Sequence, residues 1–416
     1  MSNNPPKPNF RRYILSGLFW MAVCELIHLG LQQTPFYRQL ENANLDALLA
    51  ASNAPALSGK DAKEVFVVVV NDIDFQDPAM FAGVSPLNPK KLAEVVEAVI
   101  ASGPASIGVD FDTSLWDASF RKSPALLRKD IPVVWARAAV VASEGEGSSR
   151  KLNIGEFNES DGVCYGVPAY FPDEDGLIRE YQQRLRIKSD EFFPSLSFNL
   201  TKVTLNHGSC VQSTFGPKPP KDAGIEPQLI GYHGGSPFGH LSAGALLKLA
   251  PTPGWVDHNP LQGKVVLLGG AYREARDYYP TPIGYLPGVD ILAHSVRSQL
   301  PGGELTHGPA WNLALGYFEG VLLLVAFYFI PLRWALLVTL LAGPVYGVLV
   351  NWMAFHWHGA FLSFVPSFVG LLIFKCVEYA REHRTLHEEN NRLTDELEKL
   401  RSGKAHRDSP RLLRRT

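Results

Sequence analysis

EVFVVVVND, residues 64–72, decides the fold. Six apolar, mostly β-branched residues in succession, with no polar alternation, read as a strand buried on both faces, and Asn71-Asp72 ends it. Downstream, Asn88-Pro89 has the form of an N-cap and first helical position, opening an amphipathic helix to about Ser102. Ala105–Val109 reads as a second strand ending at Asp110. Ser123-Pro124 repeats the helix-opening signature, and Pro132–Trp135 is a third strand. Leu177–Ile187 reads as a longer alternating strand, Pro194–Leu205 as a helix, Leu229–Tyr232 as a short strand and Ser242–Leu249 as a short helix. Lys264–Leu268 (KVVLL) is another buried strand, followed by Gly269-Gly270, and a helix closes the region over Val289–Leu300. This order predicts an α/β domain with a mixed, mostly parallel sheet covered on both faces.

The 416-residue chain carries 39 Lys+Arg against 41 Asp+Glu, a formal net charge of −2. That balance excludes a phosphate-binding surface of the nucleic-acid type, so no nucleic-acid partner is expected. A mean hydropathy of −0.01 excludes a chain made wholly of membrane helices. The four cysteines, Cys24, Cys164, Cys210 and Cys376, form neither a disulfide framework nor a zinc spacing, and no metal or cofactor is expected.

The apolar residues are unevenly distributed. Residues 13–31 are nearly continuously apolar, follow Arg11-Arg12, and continue into Gln32-Gln33-Thr34-Pro35 rather than a small-residue cleavage site, as an uncleaved signal anchor does. Residues 310–330, 334–353 and 359–374 each approach the ~20 residues that cross a bilayer as a helix. Lys and Arg crowd residues 1–12, the turn at Arg333 and the tail after Lys375, while the loop at His356 and His358 has none. Positive charge therefore places both termini in the cytoplasm and residues 32–307 outside a bacterial inner membrane. Glu25 and His28 lie one turn apart in the first anchor and Glu319 lies in the second. Ionisable residues at such depth suggest pairing, or else exposure to the water-filled base of the external domain.

Polar residues gather just after the strands: Asp72 and Asp74 after the first, Asp110 and Asp112 after the second, and Arg273 and Asp277 after the late one. Ligands of open α/β sheets bind outside the carboxyl ends of the strands, and Arg179 could supply a counter-charge there. Aspartates in these places also cap helices and shape turns. Cys164 and Cys210 face the oxidising side, where a bridge or two buried thiols are both permitted.

These residues, in this order, resemble the CHASE domain of the second type, an extracytoplasmic sensor of bacterial cyclases and kinases. The resemblance is carried by VVVVNDIDF (67–75), SIGVDFDTS (106–114), DEDGLIREYQQRLRI (173–187), GKVVLLGG (263–270) and RDYYPTPIGYLPGVDILAHSVRSQL (276–300). It implies an extracytoplasmic ligand or envelope partner and a layout of one anchor, this domain and three membrane helices. Ser85-Pro86-Leu87-Asn88-Pro89-Lys90 stands where the family often has a Trp/Pro/Arg-rich piece. The residues after the last apolar segment are too few for a kinase or cyclase core, so a separate cytoplasmic effector is expected and no enzymatic activity.

At the cytoplasmic end, Tyr379, Leu386, Leu393 and Leu400 repeat every seven residues, with His383, Asn390 and Leu397 at the second core position. Such a repeat over 376–401 suggests a short parallel coiled coil, and with it a homodimer through membrane helices and coil; the alternative is a solvated helix. Residues 402–416 form a basic tail that would meet anionic lipid. Two other functions compete with a receptor. One is a ligand-free membrane scaffold. The other is a phosphatase of the haloacid-dehalogenase type, for which Asp110-Phe111-Asp112-Thr113 offers a DxDxT opening without the later Lys and paired-Asp motifs.

Overall fold

The computed structural model describes residues 10–31, 34–51, 64–113, 130–141, 152–154, 163–187, 191–206, 209–215, 227–232, 237–301 and 365–407, with scattered positions within 116–126 and 303–352. The chain divides into two compact units, Met1–Arg38 with Gly308–Trp357 and Phe361–Thr416, and Gln39–His307 with His358–Ala360.

The larger unit is built on a parallel sheet. Strand β1 (Val65–Val70) is followed by a short helix α3 (Asp72–Gln76) and by α4 (Pro89–Ala101), capped by the Asn88 side chain. Then come β2 (Ser106–Asp110), β3 (Val133–Ala136), β4 (Ala139–Val141), β5 (Leu152–Ile154) and β6 (Cys164–Gly166). Short strands β7 (Glu180–Tyr181), β8 (Arg184–Arg186) and β9 (Glu191–Pro194) precede α5 (Leu196–Leu205), which is capped by Ser195. β10 (Thr214–Phe215), β11 (Gln228–Leu229) and β12 (Gly239–Ser242) lead to α6 (Ala243–Leu249), α7 (Trp255–His258) and β13 (Val265–Gly270). A hairpin of β14 (Tyr278–Thr281) and β15 (Gly284–Pro287) enters α8 (Gly288–Gln299). Ahead of all these, α2 (Pro35–Ala51) follows α1 (Phe10–Leu31).

The main sheet has the order β12-β1-β13-β2-β3-β6, and every neighbouring pair in it is parallel. Among the described residues the antiparallel pairs are segregated into small sheets of two or three strands, so the main sheet is not itself mixed. Side chains alternate between two cores. Phe66, Val68 and Val70 meet Leu92, Val95, Val99 and Leu246 of α4 and α6, while Val65 and Val67 meet Leu200, Val203, Leu292 and Val296 of α5 and α8. All six residues of β13 are buried, and each aliphatic side chain so buried contributes on the order of 1.5–3 kcal/mol.

Two readings need correction. Leu177–Ile187 is not one strand: β7 pairs with β11 and β8 with β9, so the chain bends between two sheets. The segment 35–51, left unassigned by the sequence reading, is helical. The Ser123-Pro124 helix start and the spans 310–330 and 334–353 lie largely outside the described residues, and of 359–374 the part from Val365 onward is helical. Among the described residues no helix is long and apolar enough to cross a membrane.

In the smaller unit, α1 packs against α9 (Val365–Arg407). The Tyr13 ring lies edge-on to Phe374 at 5.2 Å, and Lys375 sets its Nζ 4.7 Å from the Tyr13 ring and 2.9 Å from Glu378. The side chains of Glu25, His28 and Glu319 lie outside the described residues.

Cys164 and Cys210 form a disulfide with Cα atoms 5.5 Å apart, which resolves the two alternatives left open by the sequence. It fastens the edge strand β6 to the segment after α5, where Asn199 also accepts from the Val211 N–H at 2.9 Å and donates to Tyr165 O. Closing a loop with a sequence separation of 46 residues constrains the unfolded chain, worth about 4 kcal/mol in the chain-entropy view. Cys164→Ser, or reduction of the wild-type chain, is expected to lower the melting temperature of the full chain clearly; equal melting curves with and without reductant would contradict this.

Candidate functional site

A parallel sheet sends all its carboxyl ends to one edge, and here that edge receives Asp72, Asp74, Asp110, Gly269 and Gly270 from three adjacent strands. Asp110 is the last residue of β2. Gly269 is its register partner on β13. A Cβ on Gly269 would lie 2.7 Å from Val289 of α8 and 3.3 Å from the Asp110 Cβ, so the missing side chain lets α8 start against the strand end. Gly288, the first residue of α8, lies against the Asp277 carboxylate in the same way, and its N–H donates to the Asp277 main-chain carbonyl at 2.9 Å.

The structure therefore brings Asp110 and Asp277 together. Burial raises the Asp110 carboxyl well above the usual carboxylate range, and the neighbouring Asp277 charge raises it further. Asp277 is also raised by burial, although the Tyr279 hydroxyl and the Gly288 N–H both stabilise its ionised form. Tyr170 closes the cluster. Its phenol is raised chiefly by burial, faces Ser295 of α8, and feels Tyr232, Asp110 and Asp277. Tyr232 is fully buried, and its hydroxyl has no hydrogen-bond partner among the described residues.

The remaining candidates fall elsewhere. Asp72 accepts from the Arg273 N–H at 2.8 Å and lies 3.6 Å from its Nε, a pairing at the surface. Asp74 is buried against Gly244, its Oδ2 without a donor among the described residues. Asp112 is exposed while Asp110, two residues before it, turns inward.

Arg179 is not an open counter-charge. It is 2 % exposed, and its five N–H groups are all engaged. Nε and Nη2 donate to Asp46 at 2.8 Å each, Nη1 to Asp173 at 2.7 Å and Asp175 at 2.9 Å, and Nη2 to Asp175 at 2.6 Å. Burial opposes the guanidinium charge, but Asp46, Asp175 and Asp173 more than offset it and hold its pKa above the ordinary value. Asp175 is lowered by its bond to Arg179, whereas burial leaves Asp173 raised. The sequence reading missed Asp46, Tyr170, Tyr232 and Ser295. Asp46 would have followed from recognising residues 35–51 as a helix, while the other three are placed only by the fold.

A family model described as the CHASE2 domain matches residues 19–331, more than half of the chain, and the chain belongs to that family, a family of extracellular sensor domains. No curated protein matches it, and no solved structure does.

Raised carboxyl groups take up protons in the folded state before the unfolded chain does, so they favour folding at acid pH and lose that contribution as pH rises through the folded pKa. Asp110→Asn removes the carboxylate that is ionised at a cost near neutrality. The variant is expected to melt a few degrees higher than wild type at pH 7, with the difference shrinking on acidification. A variant less stable than wild type at pH 7 would show that the carboxylate is held by compensating donors instead.

Proposed function

We propose that this CHASE2-domain chain is a non-catalytic bacterial inner-membrane sensor whose extracytoplasmic α/β domain reads a ligand or envelope partner at the carboxyl edge of its sheet. The reading carries four membrane helices, both termini in the cytoplasm, and residues 32–307 outside. The observation that carries it is the Asp110–Asp277 cluster. It holds two desolvated carboxylates where α8 begins, and the chain runs from α8 toward the residues expected to form the second membrane helix. A site whose own groups are unfavourably placed in the empty state can favour one conformation on binding and another without. The topology is tested with reporter fusions in the intact chain. Alkaline phosphatase at positions 150 and 250 is expected to be active, and activity of a cytosolic reporter there would overturn the assignment.

Output is proposed to pass through a parallel homodimer to a separate effector. Tyr379, Leu386, Leu393 and Leu397 of α9 are 49 %, 55 %, 53 % and 62 % exposed, an apolar stripe left uncovered among the described residues. A second copy in parallel register covers it, with Asn390 facing Asn390 across the pair. The exposed thiol of Cys376 extends the same stripe by one position toward the membrane. In a Cys24→Ser background, mild oxidation is expected to cross-link the full chain in membranes through Cys376. A product that stays monomeric, or a dimer that persists in Cys376→Ser, would rule out this register.

A further inference from the structure

Strand β12 lies at the edge of the main sheet and is bonded to β1 on one side. Its register sets where each side chain goes. His240 is paired with Val67, which packs into the layer of α5 and α8, whereas Leu241 is paired with Val68 and packs toward α4 and α6. His240 accordingly meets α8: its Nε2 lies 2.9 Å from Oδ1 of Asp290, in the first turn of that helix. One turn further along, the His294 ring lies edge-on to Phe238, with ring centres 4.6 Å apart. Residues 238–240 thus clasp α8 at two points, one ionic and one apolar. Pro287, which precedes the helix, supplies no side-chain cap, and the carboxylate of the first turn is fastened to the strand instead.

We propose that His240 and Asp290 form a pH-sensitive latch between the sheet edge and the start of α8, closed as an ion pair when His240 is protonated and loosened when it is not. This goes beyond the ligand reading and holds whether or not the sheet edge binds a solute. Asp290 faces His240 from α8, and β1 offers only the apolar Phe66, Val67 and Val68 at the facing register positions. Tyr278 of the hairpin feels Asp72, Asp290, Arg273 and Asp277; burial chiefly raises its phenol, which stays neutral over the range in question. His294 is buried, its Nδ1 3.3 Å from the Gly231 carbonyl. The bond to Asp290 raises the His240 imidazole above its ordinary 6.5, with burial opposing. A group so raised stabilises the fold fully below its unfolded value and loses that contribution as pH rises through its folded value. The latch is therefore closed at pH 6 and loosens on the alkaline side. A charged donor makes a bond roughly twice as strong as a neutral one, and a lysine would hold at every physiological pH, so histidine makes the contact conditional. When the proton leaves, Asp290 keeps the favourable field of the α8 N-terminus, and the strand is the side that lets go.

Hydrogen–deuterium exchange of the full chain in nanodiscs tests this, with rates corrected for the intrinsic effect of pH and read in peptides spanning 237–243 and 289–299. Between pH 6 and pH 9 the wild type is expected to lose protection about 2–5-fold in both, while peptides of β13 and α4 hold constant. His240→Gln keeps an N–H donor without a titration and is expected to show no step. Asp290→Asn, a second and isosteric variant on the other side of the contact, is expected to remove it as well. A wild type with flat protection between pH 6 and pH 9, a loss shared equally by β13 and α4, or a step that survives in either variant overturns the latch. None of these outcomes bears on the membrane topology, which the reporter fusions test by themselves.

Discussion

Burial of β1 and β13 on both faces is the constraint from which the rest of the larger unit follows. Two helical layers must cover these strands, and their backbone polar groups are satisfied only by the parallel ladder they share with β12 and β2. Side-chain chemistry is thereby displaced from the strands to their ends. The displacement explains why Asp110 lies where β2 stops and why two glycines end β13. At Gly269 a side chain would collide with Val289 and hold α8 away from the sheet edge. The close seating of α8 places its first N–H on Asp277 and so completes the acidic cluster.

The other concentration of charge solves a different problem. One buried guanidinium gathers Asp46 from α2 and Asp173 and Asp175 from the turn before β7. Three carboxylates against one cation leave a surplus of negative charge, and it is resolved unevenly: the bond to Arg179 lowers Asp175, while burial raises Asp173. With every donor used, the geometry is fixed rather than receptive. Removing the arginine would strand three partly buried acids, a loss on the order of 3–5 kcal/mol for a broken buried pair. The DxDGxxR run is therefore read best as the fastening of α2 to the domain, and only secondarily as a source of ligand contacts.

Much of this could be read from the chain. EVFVVVV and KVVLL read as doubly buried strands, Asn88-Pro89 and Ser242 mark helix starts by their capping chemistry, and the aspartates after the strands fall at the carboxyl edge of the sheet. What was not legible depends on contacts distant in sequence. Residues 35–51 carry Leu45, Leu48 and Leu49 at helical spacing, but that Asp46 on this helix pairs with Arg179, 133 residues away, is placed only by the fold. The bend inside 177–187 arises because Tyr181 and Leu185 belong to different sheets, which alternation alone cannot distinguish. Pairing of Asp110 with Asp277 needs the strand order β13-β2, and the bridge from Cys164 to Cys210 needs the position of the segment after α5. Both are products of topology.

A receptor needs its unsatisfied site joined to the elements that leave the domain, and the hydrogen bonds around Asp277 supply two such joints. On one side Asp277 sits on the first turn of α8, so that whatever moves the carboxylate acts on a helix end. On the other side the hairpin that begins at Tyr278 accepts the Ile178 N–H at Pro280, 3.0 Å away. Ile178 is followed directly by Arg179, which grips Asp46 of α2 with two bonds. Entry helix and exit helix are thus tied to the same acidic residue, one through a rigid, fully paired guanidinium and the other directly. Rigidity in the first joint is an advantage, because a saturated ion cluster transmits a displacement that a loose one would absorb. In the proposed sensor the division of labour would follow from the electrostatics: the fully paired cluster around Arg179 is suited to hold a position, and the desolvated acids at the start of α8 are suited to respond to a partner.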